Sequence, residues 1–562
     1  MHALLHLLRF SFAMFLLGSP VHADELLLTK NDLVQVQPSL WAATGLKLPP
    51  PDLTAPIVGL HNVQDGARLL RIYSSQGDVN GFAGILYDNR DRGHSSLSAD
   101  LYPGLTRLKY GADLIADGLD FGLGGRIVMP AVVLGNSSTA MERGWAPRSL
   151  PRLAMTNARW GAVMPVLYAN NHIYIYPEHR DHDAEDRFPI NWPYMIISQG
   201  SSGSDQPFLN AVALTLAALP RDTFAFLRDK GLVAPTVQMI LRHNLEAVTT
   251  RDDYLSGIAH PAAFAGRLVR TGRMVAQAAS LRPGDIPPVV RLRVVKEDFS
   301  DAAGLAKLDE RLLDTPAAIG RLWRSYAWER ELVVSAEDTS DPNDRPITFE
   351  WRLLHGNPER VSIEPQGPTG RTAKIRIAWH DPWTERMSGE KGPVERRMSR
   401  VDIGVFANNG IHDGAPSFIS VAFPQHQNRE YTVLSDGKKR LSSIDYDAEG
   451  RGAYFDPLLY WSAPWTDTAR YDNTGAISGW DRRGTDGAAI GFVANGERFE
   501  PRYEIDRSTK QLPVLRRTKL LCARTRGIGA KTFDTHRRPD TKNDWRCPSN
   551  LICPNNIERA WE

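Results

Sequence analysis

The sequence is poor in cysteine and carries no marked excess of charge. Its only three cysteines are Cys522, Cys547 and Cys553, near the C-terminus, and its formal net charge is +2. A balanced charge gives no argument for binding nucleic acid. In an oxidising compartment the expected cysteine chemistry is one disulfide and one free thiol. A zinc site with His536 as its fourth ligand is the alternative, although the spacing matches no standard zinc finger.

Motifs of nucleotide and metal chemistry are also absent. The chain has no P-loop, dinucleotide-binding glycine fingerprint, HExxH or CxxC. These absences weigh against nucleotide-dependent enzymes, nicotinamide-dependent enzymes and metalloproteases. Beyond the N-terminus, no segment reaches about eighteen unbroken apolar residues, so we expect no membrane span.

Residues 1–23 have the pattern of a secretory signal peptide. Arg9 precedes an apolar run over residues 10–17, and Val21-His22-Ala23 supplies a cleavage site. The run is too short to cross a bilayer. A buried N-terminal helix is the alternative, but the pattern favours a secreted or periplasmic protein.

Patterns along the chain predict an α+β protein of several domains. With 562 residues, 42% apolar and 23% charged, the chain is typical of a globular protein too long for one core. Residues 24–330 mix strand and helix patterns and predict an α/β body that carries the active site. Strands are predicted at residues 55–60, 67–73, 81–87, 126–135 and 163–177, and helices at residues 204–220, 221–231, 234–248, 266–281 and 314–328.

Residues 331–432 contain two-faced strands separated by turns. Phe349, Trp351 and Leu353 alternate with polar residues, and the run TAKIRIAWHD alternates in the same way. Such strands build antiparallel sandwiches. On this strand pattern and Trp351, the segment resembles a PKD or immunoglobulin-like module, and the resemblance implies a β-sandwich of the kind attached to exported enzymes and surface proteins. After it we expect a β-hairpin-rich region at 433–505 and a basic, cysteine-containing tail at 506–562.

The run HIYIYPEHRDHDAED, residues 172–186, is the first candidate site. In a strand, one face would carry His172, Tyr174, Tyr176 and Glu178, while isoleucines fill the other face. Imidazole, phenol and carboxyl groups together are typical of a sugar-binding cleft; an exposed aromatic strand face is the alternative. The loop that follows holds four candidate ligands for calcium or zinc, His179, Asp181, His182 and Asp183, but the spacing matches no zinc signature and favours a charged surface loop.

The run YDNRDRGHS, residues 87–95, is the second candidate. It follows an apolar strand pattern and holds Asp88, Arg90, Asp91, Arg92 and His94. Arginine pairs with both oxygens of a carboxylate or sulfate, so this loop is suited to an anionic substrate. A structural ion-pair network is the alternative.

The third candidate is ISQGSSGSDQPF, residues 197–208, where a strand pattern changes to a helix pattern. Ser202 is a candidate nucleophile or substrate ligand, but Gly200 and Gly203 lie three apart, whereas the nucleophile elbow needs four. A helix N-terminus that binds a ligand oxygen, or a plain capping turn, fits the same residues. Asn136, in a further loop, is a candidate substrate ligand.

Together these loops predict an exported enzyme that cleaves or modifies a polar, anionic polysaccharide or cell-envelope glycan without a required cofactor. As a lyase, which we favour, it would neutralise a uronate with Arg90 and use His94, His172 or Tyr174 as base. As a glycosidase, it would draw a carboxylate pair from Glu178, Asp181, Asp183 and Asp88. A non-catalytic glycan-binding surface protein and a Ser202 esterase are the alternatives. The enzyme hypotheses need residues 87–95 and 172–183 to face one cavity.

Overall fold

The computed structural model describes residues 25–37, 40–50, 56–123, 126–140, 149–305, 307–449, 463 and 465–494, and the strands 503–506 and 514–517. The predicted signal peptide and the three cysteines lie outside the described residues. Helices and strands are both abundant, so the α+β class is confirmed. None of the helices in the described ranges is long and apolar enough to cross a membrane.

The N-terminal body is organised around a parallel sheet. The strands of the whole body are β1 (Glu25–Leu28), β2 (Val34–Gln37), β3 (Leu40–Ala42), β4 (Ile85–Asn89), β5 (Thr106–Tyr110), β6 (Ile127–Val128), β7 (Val132–Asn136), β8 (His172–Pro177) and β9 (Ile196–Ser198). Six of them pair in the order β1-β5-β4-β7-β8-β9, and every pair in this sheet is parallel. The short strands β2, β3 and β6 form a separate sheet.

Helices cover the parallel sheet, as the connections between parallel strands require. They are α1 (Asp65–Ser75), α2 (Ala112–Ala116), α3 (Leu150–Thr156), α4 (Ala158–Ala169), α5 (Gln206–Ala218), α6 (Arg221–Lys230), α7 (Val233–His243), α8 (Arg251–Tyr254) and α9 (Thr271–Ser280). Helix α5 packs on β7 and against α1 and α9, while α3 and α4 pack on β8. Because all six residues of β8 are buried, both faces of this strand are covered.

Several predicted helices of the body are confirmed, whereas two predicted strands are wrong and a third, at 163–177, is confirmed only over β8. The helices over 206–218, 221–230, 233–243 and 271–280 lie where their patterns placed them. Residues 67–73 and 163–169 are helical instead of extended, and residues 56–60 form no strand. A short apolar run fits a buried helix as well as a buried strand, so periodicity alone did not separate them.

A β-sandwich follows the body. Its strands are β10 (Arg293–Glu297), β11 (Arg311–Thr315), β12 (Ala318–Leu322), β13 (Glu329–Ser335), β14 (Thr348–His355), β15 (Val361–Gln366), β16 (Thr372–Ala378), β17 (Trp383–Gly389), β18 (Gly392–Met398), β19 (Arg400–Asn408) and β20 (Ser417–Ala422). The sheets β10-β13-β16-β15 and β11-β12-β20-β19-β14 share one apolar core that includes Trp323 and Trp379.

The sandwich begins earlier than the sequence pattern indicated. Residues 314–328, predicted as a helix, contain the end of β11 and all of β12, so the expected boundary near residue 330 falls inside the sandwich. Strand β12 pairs in parallel with β20, so the second sheet is mixed. The more specific likeness to a PKD or immunoglobulin-like module stays a prediction.

A further antiparallel sheet follows the sandwich in the chain. It joins β21 (Asn428–Val433), β22 (Lys439–Asp445), β23 (Trp465–Tyr471), β24 (Ile477–Gly484) and β25 (Ala489–Ala494) in chain order. A turn at residues 473–475 links β23 to β24, as expected of a hairpin-rich region, and Gly475 adopts the positive φ of 83° that this turn needs. A last pair of strands is β26 (Tyr503–Asp506) and β27 (Val514–Arg517).

Candidate active site at the carboxyl edge of the parallel sheet

The order of the strands places a topological switch point, the usual position of a binding crevice, between β4 and β7. After β4 the chain continues to β5 on one side of it, whereas after β7 it continues to β8 on the other side. Loops that leave adjacent parallel strands in opposite directions open a gap at the carboxyl edge, which is where α/β sheets bind ligands. Residues 90–95 follow β4 and residues 137–138 follow β7, so both segments lie at this gap.

Asp91, Ser138 and His94 form a hydrogen-bonded cluster in the crevice. The Asp91 carboxylate accepts hydrogen bonds from the Ser138 N–H at 2.9 Å, from the Ser138 hydroxyl and from the Ser95 N–H. His94 Nδ1 lies 2.9 Å from Ser138 Oγ and 3.3 Å from Asp91 Oδ1. The Asp91 side chain is fully buried, whereas 58% of the His94 side chain is exposed.

The partners of the cluster determine which nitrogen of His94 carries the proton. The Ser138 hydroxyl donates to a carboxylate, so its oxygen is left to accept the Nδ1–H of His94. The neutral imidazole therefore keeps its lone pair on Nε2, and no described residue hydrogen-bonds that atom. An exposed Nε2 lone pair on a ring held through Nδ1 is the arrangement of a general base.

Asp205 connects the loops that follow β4 and β9. Its Oδ1 accepts from the Ser95 hydroxyl at 2.6 Å and its Oδ2 from the Asn136 amide at 3.0 Å. Asp205 is the N-cap residue of α5, but its side chain makes no capping bond to the helix. Burial raises the pKa of Asp205. Asn136 is fully buried and its amide is occupied by Asp205, Ser95 and Tyr87, so its expected contact with substrate is corrected.

Glu178 lies at the carboxyl end of β8, next to the turn after β9. Its carboxylate accepts hydrogen bonds from the N–H of Gly200 at 2.9 Å and of His182 at 3.0 Å, and only 5% of the residue is exposed. Burial raises the pKa of Glu178 to about 7, although the two backbone hydrogen bonds oppose the shift. A carboxyl group in this range can exchange a proton near neutral pH.

Strained backbone is concentrated at the same edge. Six non-glycine residues of the described chain have positive φ, and Arg92 (54°), His179 (48°) and Arg180 (78°) are three of them. Each such residue costs on the order of 1 kcal/mol and persists only where the surroundings enforce it. The strain therefore marks the loops after β4 and β8 as tightly determined structures.

Asp88 and Arg90 belong to a closed internal network, so their expected contact with substrate is corrected. Asp88 accepts from Tyr110 and Tyr174, each at 2.8 Å, and Arg90 donates to the Tyr110 hydroxyl at 2.7 Å and to the Phe121 carbonyl at 3.0 Å. The side chains of Arg90 and Asp88 are 3% and 0% exposed. Burial, followed by the charge of Asp88, raises the pKa of Tyr174 well above its ordinary value, so its phenol stays a donor.

The polar face of β8 does not line a groove, which corrects the expectation for His172, Tyr174 and Tyr176. All three are buried, because β8 is a central strand of a parallel sheet. His172 lies at the amino end of the strand, away from the crevice, where its Nε2 accepts the Met129 N–H at 3.0 Å. Tyr174 stacks on Tyr176 and crosses Gly135 of β7 to reach Asp88.

The four candidate metal ligands do not converge. The Asp181 carboxylate accepts a hydrogen bond from the Ser149 N–H, and its Oδ1 lies 3.6 Å from Nη1 of Arg152. Asp183 is exposed. His182 is buried against Phe188, and His179 follows Glu178 with a left-handed backbone. Within the described residues, no three side chains of the ligand-forming types are grouped to hold a metal ion.

Arg92 and Ser202 are both exposed, but neither forms the expected site. The guanidinium of Arg92 pairs with Asp120 at 2.8 Å and covers the ring of Phe121 at 4.2 Å. Ser202 lies in the turn between β9 and α5, and no described histidine hydrogen-bonds its hydroxyl. The esterase hypothesis therefore lacks a base at this position.

Sequence reasoning missed Ser138 and Asp205 as members of the crevice. Ser138 lies two residues after β7, and Asp205 comes just before α5. A usable signal was present, because polar residues that directly follow an apolar strand tend to lie at the carboxyl edge of a parallel sheet. Ser138 meets Asp91 and Asp205 meets Ser95 because of the order of the strands, and the sequence pattern does not predict that order.

Comparison with known proteins gives no family for this chain. No family model matches it, and no curated protein matches its sequence. One similar solved structure is a nucleoside hydrolase-related hypothetical protein from Saccharophagus degradans, described as associated with carbohydrate metabolism. It is 8% identical, the match covers 60% of this chain and 99% of that chain, and the TM-score is 0.17. A TM-score this low carries no argument about fold or function.

Proposed function

We propose that this protein is an exported hydrolase that cleaves a polar, carbohydrate-type substrate, with His94 as the general base. The observation that carries the proposal is the exposed imidazole of His94 held through Nδ1 by Ser138 and the buried Asp91 at the crevice of a parallel sheet. The accessible polar side chains of Asn89, Ser96 and Thr139, which lie at the same edge, suit a substrate rich in hydroxyl groups. The N-terminal sequence pattern supports export.

The proposed reaction adds water across a glycosidic or ester bond. His94 Nε2 takes a proton from water as the water oxygen bonds to the electrophilic carbon. The bond from that carbon to the leaving oxygen breaks, and Glu178 gives its proton to that oxygen. Strands β4 and β8 lie two strand spacings apart in the sheet, about 10 Å, and the loops that follow them supply His94 and Glu178 from two sides of β7.

A hydrolase fits the geometry better than the lyase favoured from sequence. The lyase needs Arg90 to neutralise a uronate carboxylate and His172 or Tyr174 to remove the neighbouring proton. Arg90 and Tyr174 are both held by buried Asp88, and His172 accepts the Met129 N–H at the amino end of β8, away from the crevice, so all three are committed to other partners. His94 alone of the expected lyase bases is exposed, and it serves hydrolysis equally well.

The test is a panel of charged and neutral polysaccharides and synthetic glycosides. We expect new reducing ends without absorbance near 235 nm, a loss of at least about 100-fold in kcat/KM for His94→Gln, and a loss of about 10-fold for Ser138→Ala. The exposed His61 provides the matched control, because His61→Gln should keep full activity. Absorbance near 235 nm, binding without turnover, or full activity in His94→Gln would each refute the proposal.

A further inference from the structure

The β17–β18 hairpin leaves the sandwich and contacts the α/β body beside the candidate site. On one strand, Arg396 Nε donates to the Asp183 carbonyl at 2.8 Å and Nη2 to the His182 carbonyl at 3.0 Å. At the tip, the Ser388 carbonyl accepts from Gln199 Nε2 at 3.0 Å. The hairpin therefore holds the loop after β8 and the turn after β9 at the same time.

These two segments supply both backbone hydrogen bonds to Glu178. His182, whose carbonyl Arg396 holds, donates its N–H to Glu178 Oε2 at 3.0 Å. Gly200, which follows Gln199, donates its N–H to Glu178 Oε1 at 2.9 Å. The position of the carboxyl group is thus defined by two peptide groups that the hairpin restrains.

The loop after β8 is bound to the sandwich over several further residues. Arg397 and the segment 184–186 exchange backbone hydrogen bonds of 3.0 and 3.1 Å. Arg400 bridges two buried carboxylates, Asp186 at 2.9 Å and Asp402 at 2.8 Å. Buried charges held this closely restrict movement, because any displacement leaves an unpaired charge inside the protein.

We propose that the β17–β18 hairpin is a positioning element of the active site and that Arg396 is the residue through which it orients Glu178. The inference rests on the proposed function, in which Glu178 donates the proton. Arg396 is 4% exposed and forms no ion pair within 4 Å in the described chain, so its hydrogen bonds to the two carbonyls are its main polar contacts there. The sandwich then has a role in catalysis beyond that of an attached binding module.

Arg396→Met in the full-length protein tests the inference, because methionine keeps the apolar stem and removes both hydrogen bonds. We expect kcat to fall about 10- to 100-fold with a change in KM below about threefold. The alkaline limb of the pH profile should move to higher pH, since neither a fixed His182 N–H nor the nearby positive charge of Arg396 then stabilises the Glu178 carboxylate. Arg396→Lys should recover part of kcat, and Arg386→Met, an exposed position in the same hairpin, should match the wild type.

Hydrogen exchange provides a readout that needs no substrate. In Arg396→Met, amides of residues 178–186 and 199–204 should exchange faster, while peptides from the sheet β10-β13-β16-β15 keep their exchange rates. Gln199→Leu should speed exchange in 199–204 by releasing the tip of the hairpin. Unchanged hydrogen exchange in Arg396→Met, or a lower kcat of this variant with an unmoved pH profile, overturns the inference. A fully active His94→Gln refutes the hydrolase proposal instead, and the exchange rates alone then test whether the hairpin positions Glu178.

Discussion

Acidification should destabilise the protein through the buried imidazole of His172. Its Nε2 accepts the Met129 N–H at 3.0 Å and its Nδ1 lies 2.7 Å from the Asn170 carbonyl, so the ring must be neutral with its proton on Nδ1. Protonation would set an N–H against the N–H of Met129. Burial accordingly lowers the pKa of His172 from 6.5 to about 4.

The sign and size of the effect follow from proton linkage. Below pH 6.5 the unfolded chain binds a proton on this imidazole, whereas the folded protein binds it only near pH 4, so the free energy of unfolding falls as the pH drops between these values. The loss from this one group is about 2 kcal/mol between pH 7 and pH 5, and about 3 kcal/mol once the pH is below both values.

The assay compares guanidinium unfolding at pH 7 and pH 5 for the wild type and His172→Gln, with hydrogen exchange of β7 and β8 assigning the transition. The glutamine oxygen can accept the Met129 N–H but does not titrate. At pH 7 we expect the free energy of unfolding of His172→Gln to be about 1 kcal/mol below that of the wild type. Between pH 7 and pH 5 this free energy should fall by about 2 kcal/mol less in the variant than in the wild type. His61→Gln, at an exposed position, should leave the pH dependence unchanged. Equal losses in His172→Gln and the wild type would show that this imidazole is not held neutral.

Two further substitutions test the packing of the buried network and the balance of its charges. Gly135→Ala should lower the free energy of unfolding by about 2 kcal/mol, because a Cβ there would lie 2.3 Å from the Tyr174 ring; a melting temperature equal to that of the wild type would contradict the close approach. Arg400→Met should lower the free energy of unfolding by about 3–5 kcal/mol, because it leaves the charges of Asp186 and Asp402 buried and unpaired. Arg242→Met should lower it far less, because no described carboxylate pairs with Arg242. Equal losses of the two variants in urea unfolding would refute this distinction.

Local chemistry explains why some elements were predictable. Helix α5 is apolar around most of its circumference and has Pro207 in its first turn, so the same residues specify a buried helix in any packing. Strand β8 alternates regularly and forms where the pattern placed it. Residues 314–328 mislead because their apolar spacing also fits strands, and pairing of β12 with β11 and β20 decided the outcome.

The candidate site was predictable in part. The loop over residues 87–95 does supply His94 and Asp91, and Glu178 does follow β8, because loops at strand ends carry functional groups. The prediction that Arg90 binds the substrate is wrong for a physical reason. Its guanidinium is buried beside Asp88 and Tyr110, so its charge and its donors are already paired inside the protein.

By itself, the sequence determined the order of strands and helices wherever capping residues and apolar spacing agreed, and it placed polar groups at the strand ends. Only the tertiary structure decided that β8 lies in the middle of a parallel sheet, so that His172 and Tyr174 turn inward, and that Ser138 meets Asp91 in the crevice. The reason is that alternation along a strand distinguishes its two faces, whereas the neighbours on each face come from distant parts of the chain.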